Sequence, residues 1–310
     1  MQTIEIKSVN LSDRKGVIKH PVPQIILTGQ GIGGGAHSGP WNRQTSLLGT
    51  ESIRKFEAEA GRTIRYGEFA ENLTTEGLEL WKTRPLDRFR CGEVVLEVTQ
   101  IGKECHGSSC AIFNEVGNCV MPREGIFARV VHPGFLKAGD RLEYIPREID
   151  VHVITLSDRA FRGEYEDRSG PAILKILESR LQELHQPFHS LCSLIPDDPD
   201  RLRNLLAGDR NSGTDIVITS GGTGIGPRDF TPDVVRPLLD KEIPGIMEMI
   251  RIKYGKDKPA ALISRSVAGV MGQTLVFTLP GSVRGSGEYM NEINVILMHL
   301  IYMLHGLDIH

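Results

Sequence analysis

The sequence predicts two domains of different class. Residues 1–146 read as a mostly-β, barrel-like domain and residues 151–310 as an α/β domain with a doubly wound, mainly parallel sheet, joined by a polar linker at 147–150. Three observations carry this. The chain has 310 residues, enough for about two domains of ordinary size. Its first half is a series of short β-branched segments cut by Gly, Pro and Asp. Its second half alternates strand-like and helix-like segments.

In the first half the strand candidates are 3–9 (TIEIKSV), 24–28 (QIILT), 93–101 (EVVLEVTQI), 126–131 (IFARVV) and 141–145 (RLEYI). One segment, 46–58, has helical spacing. Short strands with little helix suggest a small sandwich or barrel. Beyond the polar stretch 147–150, VHVITL (151–156) is a buried-strand candidate and 171–185 has helical periodicity. DIVITS (215–220) and TLVFTLPG (274–281) are further apolar runs, and 288–306 is a long helix ending in Gly306. Its apolar side, Ile293, Leu297, Ile301 and Leu304, suits either an internal or a subunit contact. Alternation of this kind predicts a parallel sheet covered on both faces.

Composition narrows the function. A net charge of −3 and a pI near 6.4 argue against a nucleic-acid or membrane-surface binder. No apolar stretch approaches the roughly 20 residues a membrane span needs. The first residues lack the basic-then-apolar pattern of a secretory signal. Five cysteines, an odd number at low density, make a reducing cytoplasm the expected compartment.

The most informative stretch is TSGGTGIGPRDFTPD, 219–233, directly after an apolar strand candidate. In open α/β sheets ligands sit at the carboxyl ends of strands. Gly221, Gly222 and Gly224 let backbone N–H groups approach an anion, and the hydroxyls of Ser220, Thr223 and Thr231 add donors. Thr231-Pro232 reads as an N-cap followed by the first helical position, and Pro237 keeps that helix short or kinked. A P-loop would need a lysine, which is absent; the charged groups are Arg228, Asp229 and Asp233. A carboxylate beside a phosphate site repels it unless a divalent cation intervenes, so Asp229 is a candidate Mg²⁺ ligand. Three more polar loops follow apolar runs or precede helices. One runs from Ser157 through Asp158 and Asp167 to Gly170, another is Pro280-Gly281-Ser282, and the third is LIPDD (194–198).

In the first half, Gly29–Gly34 matches G-x-G-x-x-G but is followed by GAHSGPW, which cannot open a helix, so it is not a dinucleotide fingerprint. Cys105, Cys110 and Cys119 are spaced poorly for zinc. Cys105, between Lys103 and His106, is the candidate reactive thiol, since nearby positive charge lowers a thiol pKa.

Residues 151–306 resemble the MogA/MoaB-type molybdopterin adenylyltransferases of molybdenum-cofactor biosynthesis. The resemblance lies in TLSDRAFRGEYEDRSGPAI, LIPDD, TSGGTGIGPRDFTPD, IPGIMEMIR, ALISRSVAGV and TLPGS. It implies a molybdopterin-binding fold, commonly trimeric, in which the terminal phosphate of molybdopterin attacks the α-phosphorus of Mg-ATP. The products are adenylylated molybdopterin and pyrophosphate. It places the family's essential aspartates on Asp197 and Asp229, in keeping with metal-assisted transfer. Ser220 and Gly221–Gly224 would cradle pterin or phosphate, with Asp158 and Asp167 alongside.

Residues 4–146 resemble the MOSC domain, a barrel-like module of sulfur transfer and molybdenum-cofactor handling. This likeness lies in GGGAHSGPWNRQTSLL, GEFAENLTTEGL, RFRCGEVVLEVTQIGKECH and GNCVMPREGIFARVV. It implies that Cys105 carries persulfide sulfur or meets the molybdenum cofactor, with His37, Glu71, Asn72 and Arg123 as secondary candidates. Gly35 stands where relatives often carry an acid. Expected partners are molybdopterin, ATP and downstream molybdenum-inserting or cofactor-using proteins. Two other readings stay open: a non-catalytic cofactor carrier, and a Cys105 sulfurtransferase with the second half as a docking domain.

Overall fold

The computed structural model describes residues 2–104 and 119–307. The chain divides into two compact units, one running to Arg147 and including Leu307, the other Glu148–Gly306.

In the first unit seven strands close on themselves. In ring order they are Arg141–Ile145, Arg88–Cys91, Val94–Ile101, Ile126–His132, Thr45–Gly49, Leu73–Glu76 and Gln2–Leu11, the last pairing back to the first. Closure removes the sheet edges that would otherwise expose unpaired backbone. Every pairing in the ring is antiparallel except Thr45–Gly49 with Leu73–Glu76. A parallel neighbour needs a crossover, and the helix Thr50–Ala60 lies in that connection. Ile4, Ile6, Leu47, Phe89, Leu96 and Ile126 fill the interior. Phe56 and Phe69 meet edge to face in a second cluster with Ile53 and Met121.

Here the sequence reading of a helix over 46–58 needs correction. Ser46–Gly49 is strand, fully buried, and the helix starts at Thr50. A short apolar run carries no clear period, and pairing on both sides decided it for strand. Gly29–Gly34 contributes the short strand Gly31–Ile32, and no helix follows.

The second unit holds a sheet in the order Phe188–Ile195, Ile149–Leu156, Ile216–Ser220, Thr274–Leu279, Ala268–Met271, Lys241–Glu242. The first four are mutually parallel, and each of the last two is antiparallel to the strand before it. Strand begins at Ile149, so half of the stretch 147–150 already belongs to the sheet. Leu202 and Leu206 of the helix Pro199–Ser212 pack with Ile154, Val217 and Val276. The helix Ser169–Glu183 packs against Val283–Leu304. Ile293, Leu297 and Ile301 are buried within this unit. The last helix begins five residues earlier than its periodicity suggested, because the Ser282 hydroxyl accepts the Gly285 N–H and caps it.

The strand Phe188–Ile195 was not read from the sequence. It is a sheet edge with a half-exposed pattern and no run of buried residues. Its position matters. The strand Ile149–Leu156 lies between one that follows it and one that comes later still, so the chain leaves neighbouring carboxyl ends in different directions. A crevice opens at such a switch point.

Candidate functional site

The loops leaving Leu156, Ser220 and Leu279, with the turn after Ile195, surround a cavity of about 950 Å³. The glycine loop forms one wall. Gly221 and Gly222 take left-handed φ angles of 111° and 64°, and a Cβ on either would come within 2.5 Å of Leu156 O or Thr231 Oγ1 respectively. Only glycine fits there. The Gly221 N–H donates to Leu279 O at 3.0 Å, stitching two loops together.

Arg265 braces the rest of this loop. Its Nε donates to Gly224 O at 2.7 Å, its guanidinium donates to Asp229 O, and it grips both oxygens of Asp233 at 2.8 and 2.9 Å. All of these are charge-assisted contacts, which are stronger than neutral ones. The sequence reading quoted Arg265 within a motif but assigned it no role. Asp229 folds back over its own loop, Oδ2 accepting the Gly226 N–H at 2.8 Å.

On the opposite wall the Ser157 hydroxyl accepts the Ala160 N–H at 3.2 Å and pairs with the Tyr165 hydroxyl at 2.7 Å. Asp158 Oδ1 accepts the backbone N–H of Asp197 at 3.0 Å, and its other oxygen lies 3.8 Å from Arg228 Nη1. Asp158 therefore ties the LIPDD turn to the rim. Partial burial pushes the Asp197 carboxyl above the ordinary aspartate value. The Asp158 backbone N–H, donating to this carboxylate, and the charge of Arg228 oppose that shift, while the charges of Asp158 and Asp229 add to it. Asp158, Glu166, Asp167, Asp197 and Asp229 thus share one cavity, with Arg159, Arg168 and Arg228 as partial relief.

Of the sequence-predicted residues, Ser157, Asp158, Asp167, Asp197, Gly221, Gly222, Thr223, Gly224, Arg228, Asp229, Pro280, Gly281 and Ser282 line this cavity together. Gly170, Ser220 and Thr231 stand behind its wall. A Cβ on Gly170 would lie 2.6 Å from Thr155 Oγ1. The Ser220 hydroxyl donates to Pro280 O at 3.3 Å, and the buried Thr231 hydroxyl donates to Gly221 O at 2.8 Å. Thr231 is the first helical residue and Phe230 its cap, so the N-cap expectation for Thr231 is corrected: its hydroxyl is spent on the glycine loop. The helix it opens is only five residues long, as Pro237 suggested. Asp167 also works locally, its Oδ1 accepting N–H groups of Ser169 and Gly170 at 2.9 and 3.2 Å. Reading the sequence missed Arg159 and Tyr165, whose guanidinium and ring stack at 5.1 Å, and Arg168. Their shared loop, 157–170, was the available signal.

The barrel unit has a different cavity, of about 340 Å³. Lys15, Lys19, His37, Arg43 and Lys103 line it, with Trp41, Phe69 and Phe127, and no carboxylate does among the described residues. Asn72 lines it too, while Glu71 is buried behind, its Oε1 accepting the Gly67 N–H at 2.6 Å and the Thr74 hydroxyl at 2.8 Å. Arg123 is exposed on a short helix and does not line it. Cys105, His106 and Cys110 lie outside the described residues. Among the described residues no three His, Cys, Asp or Glu side chains converge to hold a metal, and no helix is long and apolar enough to cross a membrane.

Known proteins resemble both units. Residues 152–299 match the family model described as "Probable molybdopterin binding domain", and residues 34–143 match the MOSC domain. A molybdopterin adenylyltransferase of Pyrococcus furiosus is 37% identical over 161 residues, covering 50% of this chain and 91% of that protein. Gephyrin of Dictyostelium discoideum is 33% identical over 162 residues, covering 50% of this chain and 22% of that protein. The chain thus spans only about a quarter of the length of such large relatives; for the molybdenum cofactor synthesis protein cinnamon of Drosophila melanogaster the share is 25%. A solved structure of the molybdopterin biosynthesis enzyme MoaB from Thermus thermophilus is 38% identical, covering 51% of this chain and 97% of that one, with a TM-score of 0.46. The chain belongs to the MogA/MoaB-type molybdopterin-binding family of molybdenum-cofactor biosynthesis, with a MOSC domain in the same polypeptide.

Proposed function

We propose that the α/β unit adenylylates molybdopterin with Mg-ATP and that the MOSC unit handles the cofactor or its sulfur. The observation that carries the first part is the convergence of Asp158, Asp197 and Asp229 with the glycine loop on one cavity. The name of the Pyrococcus furiosus relative, whose length this chain nearly covers, supports the same activity.

In this reaction an oxygen of the terminal phosphate of molybdopterin bonds to the α-phosphorus of ATP. The bond from that phosphorus to the oxygen bridging to the β-phosphate breaks, and pyrophosphate leaves. Little covalent chemistry is asked of the protein; positioning and charge neutralisation supply the rate. The N–H groups of Gly222–Gly224 and the Thr223 hydroxyl would hold phosphate, and Arg228, Arg159 and Arg168 would balance its charge. Asp197 and Asp229 would hold Mg²⁺. The donor set fits that ion, which takes one or two carboxylates and completes its shell with phosphate and water. Burial, with the charges of Asp158 and Asp229, raises the Asp197 carboxyl, and a bound cation favours its ionised form. Bound Mg²⁺ supplies charge neutralisation at the phosphates. The family's trimeric assembly and a cytoplasmic location are part of the same proposal.

For the MOSC unit, the basic, aromatic-walled cavity suits the phosphate and ring of a pterin. Cys105, which lies outside the described residues, is the sulfur-bearing or cofactor-contacting thiol of the same proposal. The deciding experiment mixes the full chain with molybdopterin, ATP and Mg²⁺ and follows pyrophosphate and adenylylated pterin by mass spectrometry, with Asp229→Asn alongside. Product from the wild type and almost none from the variant is expected. Tight pterin binding with no product from the wild type would refute the transferase and favour a carrier.

A further inference from the structure

The barrel cavity contains a lysine in an unusual position. Lys19 is buried, with 5% of its surface exposed, and Nζ donates to Asn72 Oδ1 at 2.8 Å and to Ser46 Oγ at 3.3 Å. Neither partner is charged. Burial pulls its pKa down to about 7; Lys103 pushes the same way, and Glu71 opposes. Glu71 is itself enclosed, and burial pushes its carboxyl up, so it is a weak counter-ion. The other groups around the cavity are Lys15, Arg43 and His37. Burial and then the neighbouring cations hold His37 down to about 4, so it is neutral at physiological pH. The cavity therefore has cationic walls and one buried amine poised between charged and neutral.

We propose that this cavity takes up a phosphate-bearing dianion together with a proton, and that Lys19 receives the proton. An arriving dianion supplies the negative charge that the described lining lacks, and an opposite charge favours the ionised amine. Linkage requires the reverse as well: protonation of Lys19 strengthens capture. In the limit of one proton per anion, Kd rises roughly tenfold for each pH unit above 7. Lys15, Lys103 and Arg43 line the same cavity and set the basal affinity. The aromatic walls, with Lys15 Nζ 4.5 Å from the Trp41 ring centre, favour a phosphate carried on a flat ring. The identity of the natural ligand rests on the cofactor-handling reading above; the proton coupling does not.

The test is isothermal titration calorimetry of the full chain at pH 7.5, in two buffers of different ionisation heat, with phenyl phosphate and with sulfate. A phosphomonoester has its second ionisation near about 6, so the ligand is already dianionic. Uptake of roughly half to three-quarters of a proton per phenyl phosphate is expected. Lys19→Met should abolish the uptake, and anion binding by the α/β unit persists in that variant and is subtracted. Ser46 and Asn72 hydrogen-bond each other at 3.0 Å, so the substitution strands neither. Arg43→Gln, at an exposed position on the same cavity, reports the site independently and should weaken binding several-fold while retaining the uptake. Binding without proton exchange would overturn the role of Lys19 and leave the anion site standing. Proton-linked binding of sulfate alone would overturn the phosphomonoester in favour of an inorganic oxyanion. No binding of either anion beyond that seen in both variants would overturn the site, while the cofactor role of the MOSC unit is read separately from a titration with molybdopterin.

Discussion

The two cavities of this protein are electrostatic opposites. The one in the α/β unit is large and holds Asp158, Asp167, Asp197 and Asp229 beside glycine backbone, whereas the one in the barrel is about a third its volume and is lined with lysine, arginine and aromatic rings. Both suit a phosphate, by different physics. The first offers backbone N–H groups and carboxylates, which need a divalent cation between themselves and the ligand. The second offers fixed cations, which need no metal. The proposed transfer site mixes carboxylates with Arg159, Arg168 and Arg228, whereas the proposed anion site in the barrel is lined by cations with no carboxylate among the described residues.

The largest expected effect tests the metal half of that contrast. Asp229→Asn keeps the shape of the side chain and removes its charge, and should lower adenylyl transfer on the order of a hundredfold or more without weakening anion binding in the barrel. An equal loss at both sites would end the distinction. Next comes the backbone of the cradle. Gly222→Ala places a Cβ 2.5 Å from Thr231 Oγ1 at a φ of 64°, costing about 1–3 kcal/mol at the loop. Loss of transferase activity with little change in barrel stability is the expected pattern, read by kinetics and urea denaturation. Preserved activity would show that the glycine serves only chain reversal.

Acidification sharpens the comparison further. The Asp197 carboxyl lies above the usual aspartate range, so it protonates sooner as pH falls. The Mg²⁺ concentration for half-maximal rate should therefore begin to rise at a higher pH than an ordinary aspartate of about 3.9 would allow. Asp197→Asn should remove that inflection; a profile that is unchanged in the variant contradicts the assignment.

The smallest effect is on stability and lies in the barrel. Lys19 has a folded-state pKa of about 7 against about 10.4 unfolded, so between those values the unfolded chain binds more protons. Barrel stability should rise with pH over that window, by on the order of 1 kcal/mol per unit at most. It should level off below pH 7, where the desolvation penalty is fully present. In Lys19→Met this slope should disappear from urea titrations at several pH values.

Much of the α/β cavity was legible before folding. Its parts are contiguous loops after apolar runs, and glycine, hydroxyl and acid residues keep their meaning within one loop. What such reading misassigned was Thr231, expected as a cap and instead holding Gly221 O. Asp167 lines the cavity and also spends Oδ1 on the N–H groups of Ser169 and Gly170. The barrel cavity was almost illegible. Lys15, Lys19, His37, Arg43 and Lys103 come from separate segments, and nothing in GVIKHP marks Lys19 as buried. The strand Ser46–Gly49 was misread for a related reason: its pairing partners, 73–76 and 126–132, are distant in sequence.

The sequence by itself determined the two-part organisation, the glycine loop and the acids that follow it, because local spacing and backbone freedom are properties of short segments. Only the tertiary structure decided that Asp158 anchors the turn bearing Asp197, that Arg265 braces the loop bearing Asp229, and that Lys19 sits without a charged hydrogen-bonding partner among other cations. Charge, burial and desolvation depend on which segments meet, and that is settled by closing a barrel and ordering a sheet.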